Sequence, residues 1–219
     1  PVKKGDKVAG MRVVPLVIEE EKMQKACEVA GKEPIFRILP YQKKKAGIVT
    51  TGSEVYYHRI EDKFTPVVIE KLKECGVTEV KQIRCNDDHE MITEAIQTLI
   101  EDGSDLIVCT GGMSVDPDDR TPLAIKNACT EVVTYGAPVL PGAMFMLAYC
   151  EKEGRQIPVM GLPGCVMYAK RTIFDLVLPR IMCDEKLHEK DFRLLGQGGL
   201  CLSCPVCTFP NCGFGKGGY

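Results

Sequence analysis

Short apolar runs alternate with segments in which apolar residues recur at helical spacing, starting at Ala46. The runs are rich in β-branched residues and indicate buried strands, whereas the segments between them indicate amphipathic helices. The predicted strands lie at 48–50, 80–84, 105–110, 132–133, 145–149 and 156–160, the last two as a hairpin. The predicted helices lie at 58–75, 86–102, 122–129 and 166–182. This alternation predicts a three-layer α/β/α fold with a mainly parallel sheet over residues 46–183.

The segment before this domain has a different pattern. Apolar and polar residues alternate from Val8 to Ile18, which indicates the end of a β-rich unit. A helical pattern follows from Glu19, and Gly31 can end it. We expect residues 1–45 to be the end of a preceding unit plus a helical linker. Because Pro1 enters in the middle of the pattern, we also expect a C-terminal fragment of a longer protein.

Two acidic residues near predicted helix starts have a structural explanation as well as a chemical one. Asp87 and Glu90 have the spacing of a capping box. Asp119 stands shortly before Pro122, where a helix cap and a functional carboxylate are about equally supported by spacing.

Pro66 lies inside the first predicted helix, so that it either kinks this helix or marks its true start.

Composition narrows the class of protein. The chain has 219 residues, of which 45% are hydrophobic and 26% charged, and a net charge of −2. This balance gives no electrostatic reason to expect a nucleic acid or an anionic membrane as a partner. No apolar run approaches the roughly 18 residues that a membrane span needs, and no signal peptide is visible. We therefore expect a cytoplasmic protein.

The 12 cysteines form two groups. Eight occur singly, and we expect them to be reduced and mostly buried: Cys27, Cys75, Cys85, Cys109, Cys129, Cys150, Cys165 and Cys183. The others are crowded near the C-terminus: Cys201, Cys204, Cys207 and Cys212. Crowded thiolates favour a metal, and this spacing indicates an iron–sulfur cluster or, almost as well, tetrahedral zinc. We therefore predict a metal-binding module within residues 184–219, with a reduced, mobile tail or a disulfide as the weaker alternative.

Three glycine-containing loops follow predicted strands. They are Thr51-Gly52-Ser53-Glu54, Gly111-Gly112 with Ser114, and Pro163-Gly164. Because ligands of parallel sheets bind at the carboxyl ends of the strands, we expect these loops to line one edge. The Pro- and Gly-rich stretch 135–145 is too apolar for a solvated loop, so we expect it to line a site as well.

These loops, in this order and together with Asp87, resemble the molybdopterin-binding domain family. That family includes molybdopterin adenylyltransferases, molybdenum insertases and gephyrin. The resemblance covers about residues 46–182. Its most specific parts are the segment from Gly111 to Pro122 and the Leu162-Pro163-Gly164 segment. The chain departs from the insertases at Cys165-Val166, where they usually have Asn-Pro.

The resemblance implies roles for particular residues. Asp87 and Asp119 match the family's active-site acids. The residues that would contact the pterin or nucleotide are Thr51, Gly52, Ser53, Glu54, Gly111, Gly112, Ser114, Pro141, Gly142, Pro163 and Gly164. Glycine-turn N–H groups can hold a phosphate, and the two carboxylates can hold Mg²⁺ against nucleotide phosphates.

The function implied is therefore in molybdenum cofactor biosynthesis. The ligand would be molybdopterin or its adenylylated form, with Mg²⁺, a nucleotide and molybdate as co-reactants. The first loop and Pro141-Gly142 favour an insertase over an adenylyltransferase. One alternative is a non-catalytic cofactor carrier or sensor whose cysteine module docks a molybdoenzyme, and another is a dinucleotide or pyrophosphate hydrolase. The family also implies a homo-oligomer.

Overall fold

The computed structural model describes residues 2–10, 12, 14–34 and 36–217, which fall into two compact units divided after Pro40. The first unit contains the helix α1 (Glu20–Ala30), which buries none of its residues and ends at Gly31, with φ of 69°. No strand occurs among its described residues, so the expected β-rich segment is not found there. Met11 and Val13 of that segment lie outside the described residues. The boundary at residue 45 stays a prediction.

The second unit contains all the strands and helices predicted for residues 46–183. Its strands are β1 (Lys45–Thr51), β2 (Glu79–Cys85), β3 (Leu106–Thr110), β4 (Glu131–Tyr135), β5 (Met146–Lys152) and β6 (Arg155–Leu162). Its helices are α2 (Ser53–Tyr56), α3 (Phe64–Glu74), α4 (His89–Glu101), α5 (Thr121–Ala128), α6 (Ile173–Met182) and α7 (Glu189–Leu194). Short 3-10 helices span Gly164–Met167 and Leu195–Gly198.

The six strands form one sheet in the order β2-β1-β3-β6-β5-β4. The pairs β1–β2, β1–β3 and β3–β6 are parallel, whereas β5 is antiparallel to both of its neighbours, β6 and β4. The mainly parallel sheet and the β5–β6 hairpin are thus confirmed. As a result, β1, β2, β3 and β6 all end at the same edge of the sheet.

Helices cover both faces of the sheet. Ile48 and Val108 pack on the α3 and α6 side, while Val49 and Cys109 pack on the α4 and α5 side. All of them are fully buried. This burial on both faces explains why β1 and β3 read as unbroken apolar runs, and it confirms the three-layer prediction.

Two predicted helix starts were too early. α3 begins at Phe64, so Ile60 lies outside it and is half exposed, and Pro66 stands in its first turn, where no N–H is needed. The carboxylate of Asp62 accepts hydrogen bonds from the N–H groups of Phe64 and Thr65 and satisfies this helix start. Likewise α6 begins only at Ile173, after a capping box.

The C-terminal segment packs on the α/β core instead of forming a separate body. Phe192 and Phe214 are buried in the same apolar cluster as α3 and α6. The chain from Tyr41 onward is one compact unit, so the structure shows no division at residue 183. Within the segment, the backbone at Gly198 lies so close to Lys216 that a Cβ on Gly198 would be 2.0 Å from the Lys216 carbonyl oxygen. Glycine at this position therefore allows the close packing. The mobile-tail alternative does not fit this packing.

The prediction for the single cysteines was wrong for two of them. A disulfide joins Cys129 and Cys150, whose Cα atoms lie 4.1 Å apart. The reason is local: Cys129 ends α5, and Thr130 donates its N–H to the Tyr149 carbonyl, which places residue 129 beside residue 150. Three others are buried free thiols as expected: Cys75, Cys85 and Cys109. Burial raises the pKa of the Cys85 thiol to about 11.

Candidate functional site

One serine–aspartate pair lies where β1 and β2 end. Gly52 turns the chain out of β1 with φ of 129°, a conformation that favours glycine, and Ser53 opens α2. Asp87, which follows β2, accepts hydrogen bonds from both the N–H and the hydroxyl of Ser53, each at 2.8 Å through Oδ2. The carboxylate of Asp87 thus fixes the loop after the neighbouring strand.

The capping box predicted for Asp87 was wrong. The N-cap of α4 is Asp88, whose carboxylate accepts from the N–H groups of Met91 and Glu90. These hydrogen bonds lower the pKa of Asp88 below its usual value. Because Asp88 caps α4, helix capping no longer explains Asp87. The carboxylate of Asp87 binds the loop after β1 instead.

A second serine–aspartate pair lies in the loop after β3. Asp119 accepts hydrogen bonds from the N–H and the hydroxyl of Ser114, the latter at 2.8 Å, again through Oδ2. It does not cap α5, which begins at Thr121 after Arg120 and has no side-chain cap. Asp119 is therefore not the helix cap that its spacing allowed, and its functional role stays a prediction.

Thr121 joins the two loops, although the sequence analysis did not single it out. Its buried hydroxyl donates to the Gly111 carbonyl at 2.9 Å and lies 3.2 Å from the hydroxyl of Thr51. A Cβ on Gly111 would be 2.3 Å from the Thr51 carbonyl oxygen, and one on Gly112 would be 2.8 Å from Thr121 Oγ1. The two glycines therefore allow this close approach. Its sequence signal was a small hydroxyl residue directly before Pro122 at a helix start.

A cavity of about 520 Å³ lies beside these loops. It is lined by five of the predicted site residues, Ser114, Pro141, Gly142, Pro163 and Gly164. Residues 140–144 of the Pro- and Gly-rich stretch form one wall of this cavity. Gly142 has φ of 128°, and a Cβ there would lie 2.4 Å from Ile173 Cγ2, so α6 approaches this wall closely. We call this space the sheet-edge cavity.

The other predicted ligand-contacting residues lie outside the lining of the sheet-edge cavity. They are Thr51, Gly52, Ser53, Glu54, Gly111 and Gly112, and the acids Asp87 and Asp119 join them. Ser114 connects the two groups, because it both lines the cavity and binds Asp119. The predicted site is thus divided into a polar loop cluster and an apolar cavity.

The lining also includes residues that were not predicted to contact a ligand, among them Cys165, Leu200 and Cys201. Leu140 donates its N–H to the Gly199 carbonyl at 2.7 Å and accepts from the N–H of Cys201 at 2.8 Å. This short parallel bridge brings the C-terminal segment against the wall. Burial raises the pKa of the Cys165 thiol. Pairing between residues 60 positions apart had no local signal in the sequence.

The predicted C-terminal metal module is not preformed. Within the part of the chain that the structure describes, no three His, Cys, Asp or Glu side chains lie close enough to hold a metal ion. The four cysteines Cys201, Cys204, Cys207 and Cys212 are free thiols, and two of them are exposed. The expected convergence of these four side chains is therefore not observed among the described residues, and metal binding at the cysteines stays a prediction.

The family follows from sequence comparison. Residues 47–182, well over half of the chain, match the family model described as "Probable molybdopterin binding domain". The chain therefore belongs to the molybdopterin-binding domain family.

Curated relatives match this chain over part of their length. A CinA-like protein of Mycobacterium sp. (strain MCS) is 35% identical over 85 residues, which are 39% of this chain and 20% of that protein. The chain thus matches about a fifth of the length of this curated relative.

Solved structures share the fold. A molybdopterin biosynthesis protein from Mycobacterium abscessus superposes with a TM-score of 0.52 and 18% identity, covering 64% of this chain and 92% of that one. The molybdopterin biosynthesis enzyme MoaB from Thermus thermophilus gives a TM-score of 0.50 and 19% identity, covering 65% of this chain and 98% of that one. At such identities the likeness concerns the fold. Among the described residues, no helix has the length and apolarity to cross a membrane.

Proposed function

We propose that the sheet-edge cavity binds molybdopterin, or its adenylylated form, and that the chain acts in molybdenum cofactor biosynthesis. The observation that carries the proposal is the cavity itself, which is lined by Ser114 of one serine–aspartate pair in a chain of this family. Its volume of about 520 Å³ lies in the range of small-molecule sites. Leu140, Pro141 and Met144 offer an apolar surface for a flat ring system.

The polar loop cluster suits the phosphate end of such a ligand. Gly111 and Gly112 bring main-chain groups to the start of α5, where backbone N–H groups favour an anion. Asp87 and Asp119 each engage serine through Oδ2 alone, so that Oδ1 of each has no hydrogen-bond partner among the described residues. Mg²⁺ is commonly held by one or two carboxylates plus substrate phosphates, and this arrangement fits that pattern.

The reaction we propose is the insertion of molybdate into an adenylylated pterin, and this reaction would require Mg²⁺. Mg²⁺ would supply neutralisation of phosphate charge. The chain would contribute positioning, with Asp87 and Asp119 holding the cation and Ser53 and Ser114 holding the two carboxylates in place. What supports insertion over adenylyl transfer is the Pro141-Gly142 segment, which forms part of the cavity wall.

Calorimetry with molybdopterin and with its adenylylated form, each with Mg²⁺, tests the binding proposal. Leu200 is exposed and lines the cavity, so Leu200→Glu should weaken binding on the order of tenfold while the fold stays intact. Val206→Glu is the matched control, because Val206 is exposed in the same segment and is not part of the cavity lining. Absence of binding by folded wild-type protein would leave the domain as a scaffold.

The reaction itself needs separate assays. Purified protein should insert molybdate into the adenylylated pterin, and an ATP-dependent adenylylation assay tests the other activity of the family. Asp87→Asn should abolish the Mg²⁺ dependence of either reaction. If both reactions are absent although pterin binding is tight, the chain is not an enzyme of this type.

A second candidate, a carrier or sensor that docks a molybdoenzyme, is favoured by one observation. The C-terminal segment contributes Leu200 and Cys201 to the cavity wall, so a bound ligand would contact a part of the chain outside the matched family region. This candidate predicts that Cys204→Ser and Cys207→Ser abolish capture of a molybdoenzyme but leave pterin binding unchanged. The homo-oligomer implied by the family is tested by measuring the mass in solution.

A further inference from the structure

A second cavity, of about 330 Å³, lies under the C-terminal segment. All four clustered cysteines line it: Cys201, Cys204, Cys207 and Cys212. On the other side it is bounded by residues 168–171 of the main domain. We call it the cysteine cavity. The shared cavity is a stronger observation than the sequence spacing, because it shows that the fold brings the four positions around one space.

The loop that carries the cysteines is anchored at both ends. At its start, Cys201 donates its N–H to Leu140. At its end, Phe214 is buried in the core, and a Cβ on Gly215 would lie 2.3 Å from Leu176 Cδ1. Between these two ends, the guanidinium of Arg171 lies over the Phe209 ring, 5.1 Å from the ring centroid. The loop therefore closes over the cavity with fixed ends and a middle that is exposed.

The opposite wall is held by a buried ionic network. Lys71 Nζ lies 2.7 Å and 2.9 Å from the two carboxylate oxygens of Asp175, and both residues are buried. Lys71 also donates to the Lys170 carbonyl at 3.1 Å. Arg171 donates to Asp175 at 2.8 Å and to Glu74 at 3.0 Å. Side-chain hydrogen bonds to these carboxylates raise the pKa of Arg171 against the opposing effect of its burial. The two cations and two carboxylates of this network balance in charge.

We infer that the cysteine cavity is the site of a metal centre ligated by the thiolates of Cys201, Cys204, Cys207 and Cys212. Core packing does not explain Cys204 and Cys207, because both are exposed. Four thiolates form a soft ligand set, which selects zinc or an iron–sulfur cluster. Metal binding releases the thiol protons and draws the exposed middle of the loop inward.

The metal centre is coupled to the sheet-edge cavity. Cys201 lines both cavities. The hydrogen bonds of Leu140 with Gly199 and Cys201, the neighbours of Leu200, hold this segment between them. A metal that fixes Cys201 therefore also fixes one wall of the pterin site, and this part of the inference rests on the proposed function. Reciprocal linkage then makes the pterin affinity higher in the metal-loaded protein, on the order of tenfold.

Metal analysis of the full chain tests the centre without any pterin. The protein is purified without oxygen and then divided, one part receiving ferrous iron with sulfide and the other Zn²⁺ or Co²⁺. One arm should give a stoichiometric centre, seen as iron–sulfur absorption or as tetrahedral Co²⁺–thiolate bands. Cys204→Ser and Cys207→Ser should each lower the bound metal at least tenfold. Cys27→Ser, which changes an exposed cysteine of α1, is the control and should bind normally.

Circular dichroism and thermal melting of each variant separate loss of metal from loss of the fold. Both variants should keep the wild-type fold, because Cys204 and Cys207 are exposed. No stoichiometric metal in either arm, or equal binding by the cysteine variants, overturns the metal centre. Calorimetry with molybdopterin on loaded and stripped protein then tests the coupling. Equal pterin affinity overturns the coupling alone, whereas no pterin binding in either form overturns the proposed function and leaves the metal result standing.

Discussion

The two parts of the candidate site are built in different ways. In the polar loop cluster, each carboxylate accepts two hydrogen bonds from one serine, and all the residues belong to the family region 47–182. In the sheet-edge cavity, apolar side chains and glycines form the walls, and Leu200 and Cys201 come from beyond that region. The first part depends on directional polar contacts, and the second depends on how closely chain segments pack.

This difference separates two kinds of contribution. Polar contacts that position charge affect a reaction most when they act in its transition state. Packing of an apolar wall affects how tightly the ligand is held in ground and transition state alike. Substitutions in the loop cluster should therefore act on turnover, and substitutions around the cavity should act on affinity.

The largest expected effect concerns the ionic network that supports one wall of the cysteine cavity. Lys71→Met removes one partner of the buried pair with Asp175 and should cost about 3 kcal/mol of unfolding free energy, because a buried carboxylate loses its main partner. Lys81→Met breaks the pair with Asp102, in which both side chains are about half exposed, and should cost about 0.5 kcal/mol. Urea unfolding measures both variants. Similar costs for the two would show that the Lys71 network is not a support.

The next effect tests the loop cluster. Asp119→Ala and Asp87→Ala should each lower the turnover number on the order of 100-fold, since each removes a carboxylate and frees a serine loop. Pterin affinity should change by less than about threefold. Asp118→Ala, an exposed neighbour, is the control. If affinity falls as much as turnover, the division between the two parts of the site does not hold.

A smaller effect is expected at the bridge to the C-terminal segment. A Cβ on Gly199 would lie 2.1 Å from the Pro138 carbonyl oxygen, so Gly199→Ala should displace the segment from Leu140. Pterin affinity should then fall about five- to tenfold with turnover at saturation unchanged. Gly213→Ala is the matched control, because a Cβ there meets no atom within 4 Å. Equal affinities in the two variants, measured by calorimetry, would separate the bridge from the cavity.

The smallest effect is a pH dependence at the start of α3. Burial alone would raise the pKa of Asp62, but hydrogen bonds from Thr65, Gln82 and Phe64 outweigh it and lower the pKa below 3.8. The stabilisation is therefore present above the unfolded-state pKa and is lost as the pH falls through the folded-state value. Asp62→Ala should cost about 1 kcal/mol at pH 7 and almost nothing near pH 2. Glu61→Ala should show no such trend in thermal melts, and an equal cost at both pH values would contradict the assignment.

The architecture could be predicted because its signals are local or periodic. Strands buried on both faces, such as β1 and β3, read as apolar runs, and α4 shows its buried face in Ile92, Ile96 and Leu99. Helix starts were less reliable. Asp87 and Asp88 are both plausible caps in the sequence, and only the backbone conformation shows that Asp88 takes this role.

The site was predictable only in part, for a physical reason. The glycine loops and both acids stood at strand ends, so the edge of a parallel sheet predicted their neighbourhood. Contacts between distant segments left no such signal: Thr121 with Thr51, Leu140 with Leu200, and Cys129 with Cys150. The cysteine spacing predicted a metal-binding module. The four cysteines line one cavity, but a preformed metal geometry is not present among the described residues.

The packing of Phe192 against the core has a practical consequence for where this domain can be cut. The Phe145 ring is fully buried and stacks on that of Phe192, with centroids 5.9 Å apart, and Leu187 and Phe214 complete the same cluster. A fragment trimmed to the family boundary at residue 182 would keep all six strands yet bare this aromatic surface to water. Exposed apolar patches of that kind promote self-association. The shortest well-behaved expression unit therefore runs through Phe214, some thirty residues past the end that sequence matching alone would suggest.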